Sequence, residues 1–123
     1  MQSGAVMIID LRTYEIRHSR MNEFLSLWEE RALPVQLRYL QRFRGMYAVD
    51  IGVVNSVVHL WEYDSLAERE TRRAAMEACE EWKDYRTRLA QLDALLRLQS
   101  TILRPADLMK RVPGGWTQPP AKQ

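Results

Sequence analysis

The run Asn55-Ser56-Val57-Val58-His59-Leu60-Trp61-Glu62-Tyr63-Asp64-Ser65-Leu66-Ala67-Glu68-Arg69 admits few structures. Its first half alternates, with His59, Trp61 and Tyr63 on one side and Val58 and Leu60 on the other. That is the period of a strand. Ser65-Leu66-Ala67-Glu68 follows at once, a capping box in which a serine oxygen and a glutamate close the first helical turn. The segment is therefore a strand running straight into a helix. A half-buried strand usually turns small polar groups outward, whereas both rows of this one are bulky. Its row of hydrogen-bonding aromatic residues suits a lined pocket or a subunit interface.

The rest of the chain builds a pattern around that unit. Met7 to Ile16 alternates as a first strand, with Ile9 and Leu11 on one face and Ile8, Asp10, Arg12 and Tyr14 on the other. Ser19 is the expected N-cap of a helix carrying Met21, Phe24, Leu25, Trp28 and Ala32 at helical spacing. Pro34 kinks or interrupts it by removing a backbone donor. Phe43 to Ile51 is a second strand, joined through a turn at Gly52 to Asn55 in an antiparallel hairpin. The helix after Ser65 runs to about Ala78. A further helical piece, Trp82 to about Leu92, carries Trp82, Tyr85, Leu89 and Leu92 on one stripe. Leu95 to Leu103 is a fourth strand, ended by Arg104-Pro105.

The order β-α-β-β-α-β predicts an α+β, ferredoxin-like subunit with a four-stranded antiparallel sheet. Helices cover one sheet face of such a fold. The other is expected to be open and to carry Arg12, Tyr14, His59, Trp61 and Tyr63. A second copy would cover that aromatic area, giving a homodimeric α/β barrel. Two regions are expected: a folded domain over 7–105 and a Pro/Gly-rich arm over 106–123, with Trp116 as its anchor.

Composition narrows the function. With 123 residues the chain makes one small domain, which association would help to stabilise. Its 18 basic and 16 acidic residues are interspersed and leave a net charge of +2. That is no nucleic-acid footprint, which needs a clustered basic face. Cys79 has no second cysteine to pair with, as in a reducing compartment. The first residues lack a basic flank before an apolar stretch, and no apolar run is long enough to span a bilayer. The expectation is a cytoplasmic protein with no membrane span.

Several short segments together resemble the NIPSNAP-domain family. They are Leu11-Arg12-Thr13-Tyr14, Phe24-Leu25 with Trp28-Glu29, Pro34 to Arg38, Gly45, and Gly52 through Asn55 to Ser65. Arg69 with Arg72-Arg73, Trp82 and Ile102-Leu103-Arg104-Pro105 complete the set. The likeness spans roughly residues 7 to 105, and the Asn55-to-Arg73 stretch is its most specific part. Two positions depart from the family pattern: His18-Ser19 replaces a Pro-Gly turn, and Cys79-Glu80 replaces Asp-Pro. The resemblance implies a ferredoxin-like subunit that dimerises into an α/β barrel. The wider barrel group includes cofactor-free oxygenases, isomerases, dehydratases and haem-binding enzymes, so the resemblance names no single activity.

His59 is the candidate general acid or base, since its ordinary pKa lies near neutrality. Its bland reading is a histidine bonded to a neighbouring strand. Arg12 is the candidate holder of a carboxylate or enolate, and its bland reading is an ion pair with Asp10. Tyr14, Trp61 and Tyr63 are candidate walls for a planar ligand or, equally, dimer core; Asn55 joins the ligand-binding set. Arg69, Arg72 and Arg73 read as a solvated helix face before they read as an anion site. Cys79 lacks a base and reads as structural. The chain carries no phosphate-binding glycine loop and no metal-ligand spacing. No metal or cofactor is expected; haem ligated by His59 is left open, with no second supporting signal. Two functions follow. One is a homodimeric barrel binding a small apolar or aromatic ligand, with cofactor-independent oxygenase or isomerase chemistry. The other is a non-catalytic interaction module whose aromatic face is dimer core.

Overall fold

The computed structural model describes residues 7–113, so the Trp116 anchor lies outside the described residues. Strand β1 (Ile8–Ile16) leads into helices α1 (Met21–Leu27) and α2 (Leu33–Tyr39), then the hairpin β2 (Arg42–Ala48) and β3 (Ser56–Tyr63). Helices α3 (Leu66–Ala78) and α4 (Glu80–Leu92) precede β4 (Leu95–Leu103). The four strands lie in the order β2-β3-β1-β4, and each neighbouring pair is antiparallel. This is the split βαβ arrangement of ferredoxin-like folds, as the element order predicts.

Local chemistry explains the joints. Ser65 Oγ accepts the Glu68 backbone N–H at 3.0 Å and opens α3. Cys79 caps α4 by accepting the Trp82 N–H at its sulfur, and Asp93 closes it in the left-handed region at φ 53°. Ser19 is not a cap. It lies in a 3₁₀ turn, and α1 starts at Met21 without a side-chain cap. Nor does Pro34 break the helix: α1 and α2 are joined by a π-helical turn, Trp28–Ala32. There the Leu33 N–H reaches the Trp28 carbonyl, five residues back. In β2 the register shifts between Phe43 and Gly45. Gly45 holds φ 123° there, with Tyr47 packed where a Cβ would sit.

One expectation is reversed. Register pairs Arg12 with His59 and Asp10 with Trp61, so the polar and aromatic rows do share a face. That face is covered by the chain's own helices. The Tyr14 and Phe24 rings lie 5.9 Å apart, those of Trp28 and His59 5.4 Å, and His59, Trp61 and Tyr63 are all 0% exposed. Alternation fixes which residues share a face but not which face the helices take. The larger aromatic area goes to the helices because it removes more apolar surface from water. The row left uncovered holds Leu11, Thr13, Glu15, Val58 and Leu60, all half-buried. The buried Glu62 sits there too, held by Arg44 Nε at 2.7 Å and Arg42 Nη1 at 3.4 Å. None of the helices among the described residues is long and apolar enough to cross a membrane.

Candidate functional site

A cleft of about 460 Å³ opens between the β1/β4 side of the sheet and helices α3 and α4. Its volume falls in the range of small-molecule sites. The sheet contributes Arg12, Tyr14, Leu95 and Leu98. From the helices come Arg73 and Glu77, then the Trp82, Tyr85 and Leu89 stripe, with Arg86, Ala90 and Asp93 along the rim. The Trp82 and Tyr85 rings sit 5.0 Å apart. The cleft therefore has an apolar aromatic wall and a cationic end.

The cationic end is built on Asp10, which is 0% exposed. Its carboxylate accepts Arg69 Nε at 2.9 Å and the Ser100 hydroxyl, and lies 3.6 Å from Arg12 Nη1. Arg12 in turn donates from Nε to the Tyr14 hydroxyl at 3.3 Å. The Asp10–Arg12 pairing expected from the strand pattern is present, and it orients Arg12 along the cleft wall. Arg12 is thus paired with Asp10 and also lines the cleft.

His59, the candidate acid or base, is fully buried. It lies outside the cleft lining, stacked beneath Tyr14 with centroids 4.8 Å apart. Trp61 Nε1–H donates to its Nδ1 at 2.8 Å, which places the proton of the neutral ring on Nε2. Burial, aided by the Arg12 charge, lowers its pKa to about 3. A neutral imidazole of such low basicity is poorly matched to proton transfer near pH 7. His59 should lower stability as pH falls from about 6.5 towards 3, because only the unfolded chain takes up its proton there. Each pH unit inside that window removes about 1.4 kcal/mol. Urea unfolding of His59→Gln should show a flatter pH profile between pH 6 and 4. An imidazole resonance of His59 titrating near 6.5 in the native protein would contradict this.

The remaining predicted residues divide. Tyr14 lines the cleft. Trp61 and Tyr63 are core, Trp61 packing on Phe43 at 4.6 Å between centroids. Burial pushes the Tyr63 phenol up to about 12, so it stays protonated. Asn55 is not brought to the cleft. It sits at φ 59° in the β2–β3 turn, its amide 3.1 Å from His18 Nδ1 and its carbonyl accepting the Ile16 N–H. Arg69 and Arg73 are not a solvated face: their side chains are only 16% and 14% exposed. A signal for this was present, since Arg69, Arg73 and the buried Met76 fall at i, i+4 and i+7, one inward stripe. Tyr85 and Leu98 were missed as site residues because only tertiary packing joins them to Arg12.

The NIPSNAP family model matches residues 9–110. The chain belongs to the NIPSNAP family. A NIPSNAP-like domain protein from Burkholderia xenovorans superposes with a TM-score of 0.78 at 34% identity, over 96% of this chain and 93% of that one. A NIPSNAP family protein from Agrobacterium tumefaciens gives 0.77 at 33%, over 82% and 94%. Protein NipSnap homolog 3A of Homo sapiens is 35% identical over 61% of this chain. The match spans only 30% of that relative's length. A Nitrosomonas europaea protein provisionally assigned as an antibiotic biosynthesis monooxygenase gives a TM-score of 0.62 at 10% identity, covering 87% and 97%. At that identity it shows a shared fold and no shared chemistry. Within this NIPSNAP domain, the segments carrying the resemblance supply Arg12, Tyr14, Arg73 and Trp82 to the cleft. They also supply Trp28, Trp61 and Tyr63 to the core beneath it.

Proposed function

We propose that this NIPSNAP domain is a small-molecule-binding subunit whose ligand lies between the sheet and α4, and that it works as a homodimer. The cleft carries the reading: an aromatic and aliphatic wall of Trp82, Tyr85, Leu89, Leu95 and Leu98 faces Arg12 and Tyr14. A largely apolar, planar ligand would bury that wall, and the polar end would orient it. On this reading the ligand lies inside each protomer rather than in a space between two sheets. The half-buried row Leu11, Val58 and Leu60 on the uncovered face, with Leu103 40% exposed beside it, supports pairing with a second copy. A non-catalytic module using its aromatic face as dimer core is disfavoured, because the chain's own helices cover that face. Oxygenase or isomerase chemistry without a bound cofactor remains the matching enzymatic form. Its proton acceptor would be sought among the cleft carboxylates, Glu77 and Asp93, rather than at His59.

Native mass spectrometry of freshly purified protein tests this. The expected result is a dimer carrying a defined small-molecule mass that Leu89→Trp, which fills the cleft, displaces. A dimer with no added mass that also fails to bind naphthalene derivatives at millimolar concentration would overturn the binding reading. A monomer would overturn the dimer.

A further inference from the structure

Arg73 is set apart from the other arginines of the cleft end. Its Nη2 pairs with Glu77 Oε2 at 3.2 Å, and Glu77 is half-exposed. Its Nη1 is buried and has no hydrogen-bond partner among the described residues. A buried, charged donor left without an acceptor is unfavourable, so groups of this kind are normally satisfied. Arg73 lines the cleft. Charge adds a second argument. Arg12 and Arg69 already share the buried carboxylate of Asp10, and the other buried carboxylate, Glu62, is held by Arg42 and Arg44, so Arg73 has only the half-exposed Glu77. Its positive field is felt at both His59 and Tyr63.

We infer that the ligand is an organic anion, an aromatic or alicyclic carboxylate or an acidic enol, whose charged group is received by Arg73 with Arg12 beside it. This rests on the cleft being the binding site. The guanidinium fork matches two carboxylate oxygens, and a site screened from water strengthens each charge-assisted bond. The Trp82 and Tyr85 rings then take the body of the ligand, and Leu98 closes over it from β4. Glu77 competes with the ligand for Arg73 and keeps the empty site from holding an unpaired cation.

Two probes of equal shape and different charge separate the claims: 2-naphthoate and 2-naphthamide, titrated by calorimetry into the full chain. The wild-type protein should bind naphthoate at least tenfold more tightly than naphthamide, with a preference that shrinks as salt rises. Arg73→Gln should erase the preference while leaving naphthamide affinity unchanged, and Arg73→Lys should keep part of it. Glu77→Gln, a change at the half-exposed partner, should tighten naphthoate severalfold and leave naphthamide alone. Equal binding of both probes would overturn the anion assignment and leave the cleft as a binding site. Naphthoate preference that survives Arg73→Gln and ignores Glu77→Gln would overturn the role of Arg73. Binding of neither probe would sink the cleft reading, and this assignment with it.

Discussion

Asp10→Ala should lower the unfolding free energy by about 3–5 kcal/mol, the usual loss when one partner of a buried ion pair is removed. The carboxylate is 0% exposed. It receives Arg69 at 2.9 Å, the Ser100 hydroxyl and, without a hydrogen bond, the Arg12 charge at 3.6 Å. Its removal strands two guanidiniums, of which Arg12 has a side chain only 8% exposed. Asp10→Asn keeps the shape and loses the charge, so it should be nearly as damaging. The double variant Asp10→Asn with Arg12→Met should recover part of the loss, because the stranded cation goes with its partner. Urea denaturation of the set reads these differences. A loss below about 1 kcal/mol for Asp10→Ala would mean that water reaches the group and screens it, as at a surface pair.

Trp61→Ala is expected to be comparably severe, about 3–5 kcal/mol for a fully buried large aromatic. Trp61 is 0% exposed and packs on Phe43 at 4.6 Å. Its indole N–H is the hydrogen bond that fixes the His59 ring, at 2.8 Å. Trp61→Phe separates the two contributions. It retains most of the packing but leaves Nδ1 without its donor, for a smaller loss of about 1–3 kcal/mol. Equal losses for the two variants would mean that the hydrogen bond, not the ring volume, dominates. A fully folded, wild-type-like Trp61→Ala would contradict its placement beneath the helices.

Much of this architecture is legible in the residues themselves. The alternation from Ser56 to Tyr63 and the capping box at Ser65 locate β3 and the start of α3, since both rest on contacts between residues a few positions apart. The ends of β4 at Leu95 and Leu103 follow from the same kind of pattern. Strand β2 is less legible. Its apolar residues run on to Ile51, yet the strand ends at Ala48, one last backbone bond joins Val49 to Ser56, and Ile51 is 94% exposed. Hydrophobicity alone does not say where a ladder loses its partner. Pro34 is similar: its sequence signal is a kink or an interruption, and a π turn just before it carries the helix through.

By itself, the sequence determined the element order, the members of each strand face and the family. These depend on local periodicity, caps and short motifs. Only the tertiary structure decided that the helices cover the aromatic face, that His59 lies buried and neutral below Tyr14, and that Asn55 stands apart at the hairpin turn. It also decided that Arg73 of α3 and Arg12 of β1 line one cleft walled by α4. Those outcomes follow from which of two amphipathic faces buries more apolar area and which charges then share the interior. Both are set by elements far apart in the chain, so no local pattern records them.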